Sequence, residues 1–229
     1  IVQESFNFNL IREVLPQVTL FNAEETARLE TAHKTFLANM STLSDLEYRK
    51  EMERLGVDLS WKSSQIEGNT YSLLETERLL KEKETAQGKT KEEAVMLLNH
   101  KDALDFILDC PDYLKTLSVR RLEDIHCILT KELGVGNGIR KRRVGITGTN
   151  YRPLDNEFQI REALEDTCQL INGKDNVFEK ALLALVLLSY IQAFTDGNKR
   201  TARISSNAIL IAWGYCPISF RTVDSVDYK

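Results

Sequence analysis

An uninterrupted apolar run, Ala181 to Leu188, is followed by the turn Asp196-Gly197-Asn198 and then by a second apolar periodicity at Ile204, Ala208, Ile209, Ile211, Ala212 and Trp213. Two buried helices joined by a sharp reversal satisfy this pattern. The joint reads Gln192-Ala193-Phe194-Thr195-Asp196-Gly197-Asn198-Lys199-Arg200-Thr201-Ala202-Arg203. It leaves the backbone N–H groups of Gly197, Asn198 and Lys199 near a helix N-terminus, where free donors and the positive end of the helix dipole favour an anion. Arg200 and Arg203 lie three apart on that helix, and Lys199 and Arg203 one turn apart, so the cations project from nearly one face. Cations grouped beside an anion-binding turn suit a polyphosphate, and Asp196 can hold a divalent ion against it.

The rest of the chain reads as mainly helical, with only four prolines and long stretches of 3.6-residue periodicity. Its 229 residues make one large domain or a core with a subdomain. A net charge of −4 and a pI near 5.6 give no reason to expect a nucleic-acid partner. Cys110, Cys127, Cys168 and Cys216 stand singly, which argues for reduced, buried thiols in a reducing, cytoplasmic setting and against a disulfide frame or zinc site. No apolar run approaches the ~20 residues that span a bilayer, so no membrane partner is expected.

Asn22-Ala23-Glu24-Glu25 and Ser72-Leu73-Leu74-Glu75 read as capping boxes, the first opening a helix towards Met40. A helix begins after Ser44, with a break or kink expected at Gly56 and a stop at Gly68. Further helices are expected over Lys91–Leu108, Val119–Leu133, Phe158–Asn172, Val177–Ile191 and Asn198–Trp213. Gly134-Val135-Gly136-Asn137-Gly138 reads as a loop, because no strand precedes it. The β signal is Val144 to Pro153, with short alternation and a Thr-Gly-Thr-Asn turn, and predicts a hairpin leaning on the helical body.

Ser63-Ser64-Gln65-Ile66-Glu67-Gly68-Asn69 is a second motif. Ser63 and Glu67 are four apart on one helix face, and Glu67 sits in the last turn, where the helix dipole disfavours a carboxylate. A cation waiting for it explains that placement; a surface Glu before a glycine cap is the plainer alternative.

The residues from Gln192 to Arg203 resemble the signature of the Fic family, His-x-Phe-x-Asp/Glu-Gly-Asn-Gly/Lys-Arg-x-x-Arg, with Phe194, Asp196, Gly197, Asn198, Arg200 and Arg203 in register. Ser63 to Gly68 resembles the family's inhibitory pattern, Ser/Thr-x-x-x-Glu-Gly/Asn. The resemblance runs from about Leu46 to Tyr215. It implies an all-α helical bundle with one β-hairpin flap. Residues 1–90 would be an N-terminal helical region carrying the inhibitory helix, about 57–68. Residues 91–229 would be the core, with the flap at about 144–153 and the signature loop and helix at 192–213.

The resemblance further implies transfer of AMP from ATP to a Ser, Thr or Tyr hydroxyl of a target protein or of the chain itself, with a homodimer among the assemblies it allows. Asp196 would hold Mg²⁺ across the α- and β-phosphates. Gly197, Asn198 and Lys199 would line the anion hole, with Arg200 on the β-phosphate and Arg203 on the γ-phosphate. Glu67 would pair with Arg203 and hold ATP unproductively. Gly145, Ile146, Thr147, Gly148, Thr149 and Asn150, in the flap, would clamp the target by strand addition. Phe194 would anchor the loop in the core.

Gln192 stands where the family carries its catalytic His. A Gln amide does not accept a proton near neutral pH, whereas general-base catalysis contributes on the order of 10²–10⁴-fold. The expectation is a site that binds nucleotide and transfers slowly or not at all. An inactive nucleotide-binding module is therefore one alternative. A Doc-like phosphotransferase, suggested by Lys199 in place of the commoner Gly, is another. His126 reads as a core or edge residue of its helix, and His33 and His100 sit in polar stretches. Arg140-Lys141-Arg142-Arg143 reads as a solvated loop or a phosphate-facing patch. Asn207 faces the nucleotide or is a satisfied core amide.

Overall fold

The computed structural model describes residues 4–228. The strand β1 (Glu4–Ser5) leads into a π-helical turn (Leu10–Val14) and a 3-10 turn (Leu15–Gln17). Helices α1 (Ala23–Ser41), α2 (Asp45–Ile66), α3 (Leu73–Glu82), α4 (Lys91–Asp109) and α5 (Val119–Thr130) follow. Strand β2 (Tyr151–Arg152) separates these from α6 (Glu157–Gly173), α7 (Val177–Ile191), α8 (Asn198–Ala212) and α9 (Ser225–Tyr228). The fold is helical, as expected.

Capping boxes open α1 through α4: Asn22 with Glu25, Ser44 with Glu47, Ser72 with Glu75 and Thr90 with Glu93. In each, the cap side chain takes one orphan N–H and the Glu returns to another, so four helix starts are fixed by local chemistry. The Glu93 carboxyl also accepts from Thr70, and these bonds hold its pKa down to about 2.

Gly56 does not break its helix. α2 runs unbroken through it, and Gly56 is buried where the Lys101 stem and Leu104 of α4 cross; a Cβ would lie 3.7 Å from Lys101 Cε. Propensity is overridden there by close packing of helix on helix. The expected stop at Gly68 is present, with φ at +94°.

The expected hairpin is not. Among the described residues, 144–150 form a loop whose turn is closed by Thr149 N–H donating to the Ile146 carbonyl, with Gly148 at φ +84°. β2 pairs in parallel with β1 instead, Glu4 beside Tyr151 and Ser5 beside Arg152. An isolated two-stranded hairpin is marginal; here the stack Phe6–Tyr190–Tyr151, with centroids 4.7 and 4.8 Å apart, seats β1 against the flap's far limb.

α7 is nearly all apolar and packs along α8, with α5 and α6 closing the core around Leu122, Ile125, Ile160, Leu164, Leu187 and Ile191. Burial of that surface is the main driving force and fixes the α7–α8 reversal in space. The cysteines are free, but only Cys168 is buried; Cys110 at the end of α4, Cys127 on α5 and Cys216 in the segment after α8 are exposed, contrary to the expectation of buried thiols. No helix among the described residues is long and apolar enough to cross a membrane.

Candidate active site

The α7–α8 reversal is a short loop held by its own side chains and by residues from outside it. α7 ends at Gln192, whose backbone adopts the left-handed conformation (φ 52°, ψ 54°). Asn198 then staples the loop across its base: its Oδ1 accepts from Phe194 N–H at 2.9 Å and its Nδ2 donates to the Phe194 carbonyl at 2.8 Å. Phe194 is buried, as expected of an anchor, and stacks on His126 of α5 with centroids 3.8 Å apart. His126 Nε2 meets the Asp196 carbonyl at 2.8 Å. Gly197, the N-cap of α8, has φ +81°, and a Cβ there would come within 3.0 Å of Thr130 Cγ2, so only glycine fits.

A cavity of about 490 Å³ opens over this loop, lined by Glu67, the flap residues Val144 to Thr147, and Gln192, Thr195, Asp196, Gly197, Asn198 and Lys199. The sequence-predicted residues that meet at it are therefore Glu67, Gly145, Ile146, Thr147, Gln192, Asp196, Gly197, Asn198 and Lys199. Gly148, Thr149 and Asn150 stand farther along the flap, where the Asn150 carbonyl accepts from Glu4 N–H at 3.3 Å.

Arg200 lies under the loop, 2% exposed, with Nη2 3.5 Å from Asp196 Oδ2. Its Nε and Nη1 are buried and have no hydrogen-bond partner. Burial lowers its hold on the proton, with Asp196 acting the other way; an anion placed here would be strongly attracted. Asp196 itself is 68% exposed at its side chain and accepts the Gly197 N–H at 2.6 Å.

Arg203 is enclosed. Its Nε donates to Ser63 Oγ at 2.9 Å, and its Nη2 donates to the Ser63 carbonyl at 3.1 Å and to Glu67 Oε1 at 2.6 Å. The Tyr228 ring lies 5.2 Å from the guanidinium. Glu67 is the C-cap of α2, and Gly68 behind it makes the turn that leaves the carboxylate facing α8. The like-signed end of the helix dipole is thus offset by a charge-assisted bond.

Gln192 Nε2 donates to the Ser189 carbonyl at 2.7 Å, and Gln192 Oε1 accepts from Asn198 Nδ2 at 3.2 Å. Both ends of the amide are engaged. Asn207 is a core amide and not a ligand group: it donates to the Ile218 carbonyl at 3.1 Å and accepts Ile218 N–H at 2.7 Å.

Three residues do more than their sequence reading assigned. His126, read as a core or edge residue, is buried among Leu122, Ile125 and Leu129 and also supports the loop from α5. His100, assigned to a polar stretch, is buried with Nδ1 3.0 Å from Ser60 Oγ, because α4 turns that position towards α2. Arg140, read as part of a solvated loop or a phosphate-facing patch, is 3% exposed and bonded to the backbone of the α7–α8 loop.

Residues 116–210 match the Fic/DOC family. The protein adenylyltransferase Fic of Nematostella vectensis is 32% identical over 176 residues, 73% of this chain and 40% of that one. The protein adenylyltransferase fic-1 of Caenorhabditis elegans is 28% identical over 170 residues, 71% of this chain and 33% of its own length. This chain thus spans well under half the length of these curated relatives. The crystal structure of a Fic family protein from Desulfovibrio desulfuricans superposes with a TM-score of 0.75 at 17% identity, covering 93% of this chain and 66% of that one, a likeness of fold alone. The signature loop on its two buried helices, the matched segment and the shared fold agree: this chain belongs to the Fic/DOC family.

Proposed function

We propose that the chain binds ATP over the α7–α8 loop and, in its released form, moves AMP onto a protein hydroxyl, with Glu67 as its internal restraint. The observation that carries the reading is the 2.6 Å bond between Glu67 Oε1 and Arg203 Nη2, which bridges the end of α2 and the cationic face of α8. Arg203 is the residue left for a γ-phosphate, and Glu67 now engages its Nη2 while Nη1 stays buried without a partner. This contact, with the Ser63 bonds to Arg203 and the turn at Gly68, supports an inhibitory role for the three residues.

The residues present suit a triphosphate. Two buried donors of Arg200, beneath the loop, have no partner, and the amides at the start of α8 add a preformed positive end. Arg200 would steady charge developing between the phosphates, and Gly197, Asn198 and Lys199 would line the hole that receives it. Asp196 would hold Mg²⁺, which one carboxylate and phosphate oxygens suffice to bind, and which supplies neutralisation of phosphate charge. For this the Asp196 carboxylate must leave the Gly197 N–H, and its exposure gives it room. Among the described residues the flap from Gly145 to Asn150 meets β1 only at the Asn150 carbonyl, which supports its reading as backbone to which an extended target segment can add.

Gln192 occupies the base position and cannot take the hydroxyl proton, so transfer by this chain is slow or absent. Its amide is tied to Ser189 and Asn198, which favours a second reading: a nucleotide-binding module in which Gln192 braces the loop. Labelled ATP distinguishes the two. Transfer of α-label to protein after Glu67→Gly, rising further in Gln192→His/Glu67→Gly, supports the transferase. ATP binding with silence in both supports the module, and transfer of γ-label instead points to phosphotransfer.

A further inference from the structure

Of the run Arg140-Lys141-Arg142-Arg143, the first member behaves unlike the others. Lys141 and Arg143 pair at the surface with Glu157 and Asp155, at 3.8 and 3.1 Å. Arg140 turns inward and its guanidinium serves three backbone carbonyls: Nε donates to Gln192 at 2.6 Å, Nη1 to Arg142 at 2.9 Å, and Nη2 to Leu154. Its backbone N–H donates to the Ala193 carbonyl at 3.0 Å. Beside it, Tyr151 OH donates to the Tyr190 carbonyl at 2.8 Å.

These acceptors fall into two groups. Tyr190, Gln192 and Ala193 lie at or just past the end of α7, where carbonyls have no following turn to bond them. Arg142 and Leu154 are the two roots of the flap. A guanidinium presents its N–H groups in a fixed planar fork, so one side chain can hold carbonyls in three directions; an ammonium carries as much charge without that geometry. The left-handed backbone of Gln192 is an uphill conformation that must be held from outside, and Arg140 grips it by the carbonyl.

We propose that Arg140 is a positioning residue that ties both roots of the flap to the turn at Gln192, so that the clamp for the acceptor and the base position keep one fixed relation. What is being positioned rests on the transferase reading above; the tie itself rests on the hydrogen bonds alone. Arg140 touches no reacting atom.

Hydrogen exchange on the full chain tests the tie without turnover. Arg140→Lys keeps the charge and loses the fork. The amides of 144–152 and of 192–197 are expected to exchange faster together, by roughly ten- to a hundredfold, while α4 and α6 stay as they were. Acceleration confined to 140–143, or none, overturns the proposal. Should Arg140→Lys not fold, Arg140→Gln decides in its place, since a single amide cannot serve three carbonyls: both segments are expected to loosen, and loosening of one alone overturns it. In the Gln192→His/Glu67→Gly background, Arg140→Lys is expected to lower kcat roughly a hundredfold with the KM for ATP held within about twofold. A raised KM for ATP at unchanged kcat would count against positioning. Silence of the background itself would defeat the transferase reading, and the exchange result would still decide the tie.

Discussion

The imidazole of His126 lies within 12° of parallel to the Phe194 ring, and its Nε2 reaches the Asp196 carbonyl at 2.8 Å. One side chain from α5 thus supports the aromatic anchor of the signature loop and the acidic residue at its tip. Since its partner is a carbonyl, Nε2 carries the proton, and the buried Nδ1 is left without a donor. Burial first, and then Arg200, lower the His126 pKa from its ordinary value, although the Asp196 carbonyl acts against them.

His126→Phe keeps a flat ring against Phe194 and removes the bond to Asp196. We expect a loss of about 1 kcal/mol in urea unfolding and weaker ATP binding by titration calorimetry. Unchanged ATP affinity would show that the Asp196 carbonyl needs no support from below.

Gly68→Ala should be costly without any clash. A Cβ at Gly68 meets nothing within 4 Å, but φ is +94°. The penalty is conformational, on the order of 1–2 kcal/mol, or roughly 2–8 °C in Tm for a chain of this size. Because Gly68 sets the direction of Glu67, the variant should also bind ATP more tightly than the parent. Equal affinity in both would separate the glycine from the latch.

Stability should fall in mild acid through His100. Its burial between α2 and α4, then the charges of Arg203 and Arg200, push its pKa down to about 3. An unfolded His titrates near ~6.5, so between these values the unfolded chain binds a proton that the folded chain refuses. The contribution is complete above that unfolded value and is lost at up to about 1.4 kcal/mol per pH unit as pH drops towards the folded one. His100→Asn should flatten the acid limb by that one-proton share, read from urea midpoints at pH 7, 6 and 5. Superimposable limbs would show that His100 is protonated within the fold.

Gln192→His should be well tolerated. The site demands a left-handed backbone, which His adopts more readily than most residues, so a stability change within about 1 kcal/mol is expected. With Glu67→Gly, transfer should rise by on the order of 10²–10⁴-fold over Glu67→Gly alone, measured as label on protein. A gain below tenfold would mean that the base position does not limit the reaction.

What could be read from the chain was what local chemistry decides. The capping residues Asn22 and Ser72, the glycine stop at Gly68 and the apolar face of α7 fixed elements at nearly their observed bounds, because each acts within a turn or two of itself. Gly56 misled: its intrinsic cost in a helix is a local quantity, whereas the Lys101 stem and Leu104 that pack over it come from α4. The flap misled likewise, since alternation and turn residues cannot reveal that β2 would take β1 as its neighbour, with Phe6 as the wedge. Arg140 and His100 were misplaced because charge and polarity in a linear string say nothing of burial. Glu67 and Arg203 were paired from the family resemblance, and their separation of 136 positions shows why no local rule could have joined them.

α2 carries 22 residues without interruption and so extends roughly 33 Å. Its inner end is the latch on Arg203; its outer end presents Leu46 and Tyr48 to solvent. With no joint at Gly56, one continuous helix connects that solvent-facing tip to the Glu67–Arg203 bond. In the restraint proposed above, the two ends of α2 would belong to a single rod.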